Sequence, residues 1–238
     1  DALLVEDPGS PKLWNERGVC LQQSGRRDEA VGACEQALAA DPEYALGWNN
    51  LGVLQSQLPD GDQALDSFQE ALRLNPTLTA ARLNLALALF QRRRLQLSLE
   101  AYRQVLAEHP PNAVAWNGVG LVLVELKRFE DAKHAFSRAV ESDPGNASAH
   151  YNLSFTLSHL GDFDGALRAT KRALELEPER ARRQRVGGLE RAAQPRPGCQ
   201  RIAARQRGAR GLALRLGEAA VGGALLARDP ERGERGRH

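Results

Sequence analysis

The sequence predicts an all-α chain, a solenoid of stacked helix-turn-helix units that ends in an irregular tail rich in Arg, Gly and Ala. Three observations carry that reading. Six of the twelve prolines, Pro8, Pro42, Pro76, Pro110, Pro144 and Pro178, stand 34 residues apart, and a fixed period between about 20 and 50 residues marks an array rather than one globular core. Other columns keep the same step. Trp14, Trp48, Arg82, Trp116 and His150 form one, and four residues on stand Gly18, Gly52, Ala86, Gly120 and Ser154. Further columns are Ala30, Ala64, Ser98, Ala132, Ala166, then Cys34, Phe68, Tyr102, Phe136, Thr170, then Ala37, Ala71, Val105, Ala139, Ala173. Charge divides the chain as well. Residues 1–178 carry 17 Lys and Arg against 24 Asp and Glu, a net of −7, whereas residues 179–238 carry 15 Arg against 6 acids, a net of +9.

Each unit reads as two helices. Trp48, Leu51 and Leu54 recur at helical spacing over residues 46–57. A break follows at Pro59-Asp60-Gly61-Asp62, and a second helix is expected over 63–74 until Asn75-Pro76 stops it. Proline lacks an N–H and disfavours helical backbone in the residue before it. Asp41-Pro42, His109-Pro110, Asp143-Pro144 and Glu177-Pro178 repeat that punctuation. Gly or Ala in the Gly52 column lets neighbouring helix axes approach toward the short end of the roughly 8–10 Å range. The aromatic of the second helix then fills the space between units. One helix pair cannot bury both of its faces, so neighbours must stack.

These columns resemble the tetratricopeptide repeat, whose pattern is W-x2-L-G-x2-[Y/L] followed by A-x3-F-x2-A-x4-P. Trp48-Asn49-Asn50-Leu51-Gly52 with Ala64, Phe68, Ala71 and Pro76 is the best copy. In chain order, residues 1–10 read as the end of a truncated preceding repeat, since Pro8 is in phase, and five repeats are expected over 11–180. The first, 11–44, has Arg17 for the Leu and Cys34 for the aromatic; the second, 45–78, is the best copy. The third, 79–112, has Arg82 for the Trp and Ala86 for the Gly, and the fourth, 113–146, keeps Trp116, Gly120, Leu123, Ala132, Phe136, Ala139 and Pro144. The fifth, 147–180, carries His150, Ser154 and Thr170. The resemblance implies a right-handed α-α superhelix with the first helices lining a concave groove. It also implies a non-catalytic protein–protein interaction scaffold that binds a peptide or helix of a partner there.

On that implied groove the phase places Asn15, Asn49, Asn50, Val53, Asn84 and Leu87, then Asn117, Leu121, Tyr151, Asn152 and Phe155. An Asn side chain carries both a donor and an acceptor, so it can pair with an extended peptide backbone whatever that peptide's sequence. Asn50, Asn84 and Asn152 share one column, interrupted by Gly118, which resembles the asparagine ladder of some members of the family. The competing reading is that these amides bond neighbouring helices. The groove phases hold no Lys or Arg, so a clamp on a partner's terminal carboxylate, which needs charge-assisted pairs, is not expected.

The remaining signals exclude more than they assign. No apolar run reaches the roughly 18 residues a membrane helix needs. The three cysteines make no disulfide framework and suit a cytoplasmic setting; Cys20 and Cys34 are expected in the core. The chain begins at Asp1 and contains no methionine, so it reads as a fragment or a processed chain. His109, His134, His150 and His159 lack metal-ligand spacing, and no nucleotide loop, nucleophile elbow or paired-carboxylate site occurs. Neither metal, cofactor nor enzymatic activity is expected. Residues 181–238 form a low-complexity basic tail; Arg, Ala and Gly make up 36 of the 60 residues from 179 onward. That composition predicts GC-rich DNA translated out of frame, with a natural basic tail and a divergent capping helix as the alternatives. Two other functions stay open: a substrate-recruiting repeat arm of a larger enzyme such as a glycosyltransferase, and nucleic-acid binding through the Arg-rich tail alone.

Overall fold

The computed structural model describes residue 7, residues 9–58 and residues 61–177. Among the described residues every regular element is an α-helix: α1 Pro11–Gln23, α2 Arg27–Ala40, α3 Ala45–Ser56, α4 Gln63–Leu74, α5 Thr79–Gln91, α6 Leu95–Glu108, α7 Ala113–Glu125, α8 Phe129–Ser142, α9 Ala147–His159 and α10 Phe163–Leu176. The basic tail over 181–238, most of residues 1–10, and Pro59 and Asp60 lie outside the described residues.

Local chemistry sets the boundaries. Pro11 opens α1, where a missing N–H costs nothing. Asn112, Asn146 and Asp162 accept from the backbone N–H groups of Ala115, Ala149 and Gly165, capping α7, α9 and α10. Between the helices of a repeat the chain turns through left-handed backbone at Gly25, Arg93, Lys127 and Gly161, with φ of 77°, 61°, 61° and 83°. These residues keep the period, but Arg93 and Lys127 adopt a conformation that glycine takes without strain. After the second helices, Asp41, Asn75 and Asp143 accept from the N–H of Glu43, Thr77 and Gly145 at 3.0, 3.1 and 3.0 Å. The side chain thereby forms the turn that the following proline enters, which is why Asp or Asn precedes proline there.

The chain divides into two compact units, one through Ala101 and the other from Tyr102. In the first, α1 packs on α2 and α3 on α4, α3 also lies against α2 and α5 against α4, and the first helices α1, α3 and α5 touch in sequence. In the second, α7 packs on α8, α9 on both α8 and α10, and α7 touches α9. Each unit is therefore a stack of helix pairs in chain order, the arrangement of a helical-repeat solenoid. The core of each is made of the small and aromatic columns: Ala30, Ala64, Ala71, Ala132 and Ala139 are fully buried, as are Phe68 and Phe136 at 1% and 0% exposure.

Glycine is required where a second-helix ring meets a first helix. A Cβ on Gly52 would come within 2.7 Å of the Phe68 ring. Gly118 faces the Tyr102 ring in the same way, so the residue that interrupts the asparagine column does so because an aromatic ring occupies its side-chain volume. The fifth repeat solves the same contact with hydroxyls, Ser154 bonding Thr170. Ser98, buried in a column of alanines, donates to the Ala86 carbonyl at 2.7 Å. Cys34 sits in the core against Gly18, but Cys20 is exposed, contrary to the core position expected for it.

Candidate functional site

The Trp column does a polar task. Trp48 Nε1 and Trp116 Nε1 donate to the carbonyls of Pro42 and Pro110, both at 2.8 Å. Arg82 donates to the Pro76 carbonyl, and His150 Nε2 pairs with that of Pro144 at 3.1 Å. Trp, Arg and His alternate in one column because each supplies an N–H six residues after a proline whose carbonyl ends the preceding repeat. The column fastens repeat to repeat.

The first-helix face begins with the asparagines. In the first unit Asn15, Asn49, Asn50 and Asn84 are 3%, 0%, 1% and 2% exposed. They form a directional chain of amides. Asn84 Nδ2 donates to Asn49 Oδ1 at 2.8 Å, Asn49 Nδ2 to Asn50 Oδ1 at 2.9 Å, and Asn50 Nδ2 to Asn15 Oδ1 at 2.9 Å. Three first helices, α1, α3 and α5, are thereby joined through buried groups. The same 35-residue offset recurs in the second unit, where Asn152 Nδ2 donates to Asn117 Oδ1 at 2.9 Å. There the residue before Asn152 is Tyr151, which has no amide to return, and the buried Asn152 Oδ1 has no hydrogen-bond partner.

The rest of the face differs between the units. Val53 is buried and Leu87 half-buried in the first; in the second Leu121 is buried while Tyr151 and Phe155 are half-buried, one turn apart on α9. Burial raises the Tyr151 phenol's pKa above its usual value. The phase of the groove face carries this row on to His159. His159, a further turn along, is exposed, stacks on Phe129 at 4.7 Å with rings 5° from parallel, and takes the Phe155 ring edge-on at 4.5 Å. The i, i+4, i+8 spacing of Tyr151, Phe155 and His159 puts all three on one helix face, whereas Phe129, on the neighbouring helix, carries no sequence signal for this contact. The second unit thus offers a run of aromatic side chains with solvent access beside a buried, unpaired carbonyl. Among the described residues no cluster of His, Cys, Asp and Glu could hold a metal ion, and no helix is long and apolar enough to cross a membrane.

Two family models, both described as tetratricopeptide repeat, match the chain, one over residues 1–45, 15–79 and 50–113 and the other over 123–186. A search of the curated proteins found no match. Among solved structures, a crystal structure of MamA is 25% identical with a TM-score of 0.59, covering 69% of this chain and 96% of that one. MamA from Desulfovibrio magneticus RS-1, residues 41 to the end, is 22% identical with a TM-score of 0.62, covering 71% and 96%. YrrB, described as a tetratricopeptide repeat protein with an unusual peptide-binding site, is 20% identical with a TM-score of 0.56, covering 74% and 91%. At 20–22% identity the last two likenesses carry the fold alone.

Proposed function

The chain belongs to the tetratricopeptide repeat family, and on that premise we propose that it is a non-catalytic interaction scaffold that binds a peptide or helix of a partner protein along its first helices. The observation that carries the reading is the aromatic row of α9. The chain has only twelve Phe, Trp and Tyr, yet Tyr151 and Phe155 stand half-exposed in line with His159 and Phe129. Aromatic side chains with an apolar body and solvent access are the usual anchors of protein interfaces.

The roles divide by depth. Asn15, Asn49, Asn50, Asn84 and Asn117 are used in holding first helices in register, and their amides present the face rather than contact the partner. Asn152 shares that structural role: its Nδ2 is committed to Asn117 and its side chain is buried. Leu121 of α7 completes the apolar floor within the second unit; Val53 and Leu87 belong to the first unit's own face. Without cations on this face, recognition rests on apolar and backbone contacts, not on a partner's carboxylate. The peptide-binding site named for YrrB is a property of that protein, and the reading here stands on the residues of α9.

The test is selection of peptides from a random library on the full chain, with affinities then measured by fluorescence anisotropy. Phe155→Ala and Tyr151→Ala, with circular dichroism unchanged, are expected to weaken the selected peptides at least about tenfold, the scale of an interface anchor. Peptides bound equally by wild type and both variants would place recognition elsewhere on the chain.

A further inference from the structure

The groove phases of α7 and α9 hold one carboxylate, Glu125, and no Lys or Arg. Glu125 is half-buried and stands 34 residues before His159, so it occupies on α7 the place that His159 occupies on α9. The two helices touch, and Asn152 bonding Asn117 at 2.9 Å holds them in that register. Glu125 also sits at the unfavourable end of its helix. It is the last residue of α7, and the last turn holds no basic residue. The C-terminal end of a helix carries partial negative charge on carbonyls that lack intrahelical partners, which a carboxylate worsens and a cation relieves. Lys127 and Arg128 follow on the turn into α8, outside the groove phases, and Arg128 pairs with Asp131 at 2.6 Å.

The aromatic row adds to the same potential. The face of an aromatic ring is the negative part of its quadrupole, and a guanidinium or ammonium within about 6 Å of the centroid is held by it. The chain makes that pairing itself elsewhere, with Arg17 over Trp14 at 5.2 Å and Arg138 over Trp116 at 5.7 Å. On α9 the half-buried rings of Tyr151 and Phe155 lead to exposed His159, which meets Phe155 at 4.5 Å and stacks on Phe129 at 4.7 Å. Rings, helix end and carboxylate therefore favour charge of one sign, and no groove phase of either helix supplies it.

We propose that the partner segment bound along α9 is basic: its apolar anchor lies against Tyr151 and Phe155, and an arginine or lysine beside the anchor reaches Glu125 and the ring end of the row. This rests on the reading of α9 as the binding face and names the chemistry of what binds there. Arginine suits the place better than lysine, because a planar guanidinium stacks on a ring and pairs with a carboxylate together. Tyr151 and His159 stand eight residues apart, about 12 Å along the helix, which an extended segment crosses in about four residues. The cation accordingly falls within about four residues of the anchor.

The probe is a set of peptides selected on the full chain from a random library, sequenced and then measured by fluorescence anisotropy. Peptides that lose affinity on Phe155→Ala are expected to carry Arg or Lys within about four residues of an apolar or aromatic residue. Replacing that arginine by citrulline, its neutral isostere, should weaken binding to the wild type about tenfold. On Glu125→Gln the two peptides should bind within about twofold of each other. On Phe155→Leu, which keeps an apolar contact and removes the ring, the gap should narrow as well; circular dichroism checks that both variants fold as the wild type does. Three results would overturn the proposal and leave the α9 reading in place: Phe155-dependent peptides with no cation near the anchor, equal affinity of arginine and citrulline peptides for the wild type, or the arginine preference kept in full on both variants. Peptides indifferent to Phe155→Ala and Tyr151→Ala, or a library that yields no binder, would remove the α9 reading and this proposal with it.

Discussion

Replacing Asn50 by Ala tests what the asparagines do. Asn50 is 1% exposed, donates to Asn15 and accepts from Asn49, both at 2.9 Å. Alanine removes both bonds at once and leaves the Asn15 carbonyl and the Asn49 amide buried without those partners. Each such orphan costs about 1–3 kcal/mol, so the variant is expected to lose about 2–6 kcal/mol. At roughly 2–4 °C per kcal/mol for a chain of this size, the midpoint of thermal unfolding falls by roughly 4–24 °C. Asn152→Ala is the comparison. It strands only the Asn117 carbonyl and also removes an Oδ1 that has no partner, so its loss is smaller, about 1–2 kcal/mol. The assay is circular dichroism at 222 nm on both variants and wild type. Equal shifts for the two, or a loss below about 0.5 kcal/mol for Asn50→Ala, smaller than one net hydrogen bond, would refute a load-carrying chain of amides.

Three further outcomes follow from the packing. Ser154→Gly leaves a gap and Thr170→Phe overfills one, so each destabilises alone, while the pair restores the Gly52–Phe68 arrangement; a double-mutant cycle should show favourable coupling of about 1–3 kcal/mol, and simple additivity would contradict the pairing. Lys127→Gly relieves left-handed backbone at φ 61° and should raise stability by about 1 kcal/mol in urea unfolding. Burial, helped by Glu35, pushes the Cys34 thiol up to about 12. The folded state therefore holds a proton that the unfolded state releases above about pH 8.5, and stability falls as pH rises from there toward 12. Cys34→Ala should lose that alkaline slope, and iodoacetamide at neutral pH should label exposed Cys20 while sparing Cys34.

Period, punctuation and small residues were enough to read the helix pairs, because stacking demands the same residue at the same phase in every unit. The break after 46–57 and the helix over 63–74 were legible from Pro59, Gly61 and Asn75-Pro76, each acting within a few residues of itself. Roles that depend on a partner distant in sequence were not. Trp48 and Trp116 look like core aromatics, and only their shared bond to a proline carbonyl explains how Arg82 and His150 stand in for them. Ser154 and Thr170 look like two separate departures until their hydroxyls meet. Arg93 and Lys127 hold left-handed turns that their side chains do not announce. At the candidate site, phase put the asparagines on the first helices but could not say that they face one another. It carried the row from Tyr151 and Phe155 to His159 yet missed Phe129, whose stacking on His159 joins two helices.

A partner is expected to touch the aromatic row of α9 while the asparagines hold helices together. The most direct measurement is nuclear magnetic resonance of the isotope-labelled chain titrated with a library-selected peptide. Resonances of Tyr151, Phe155 and His159 are expected to move together and saturate at one ratio, while those of Asp131 and Arg138, at helical positions opposite Phe129 on α8, stay in place. Shifts confined to α8 or α10, with α9 unmoved, would contradict it.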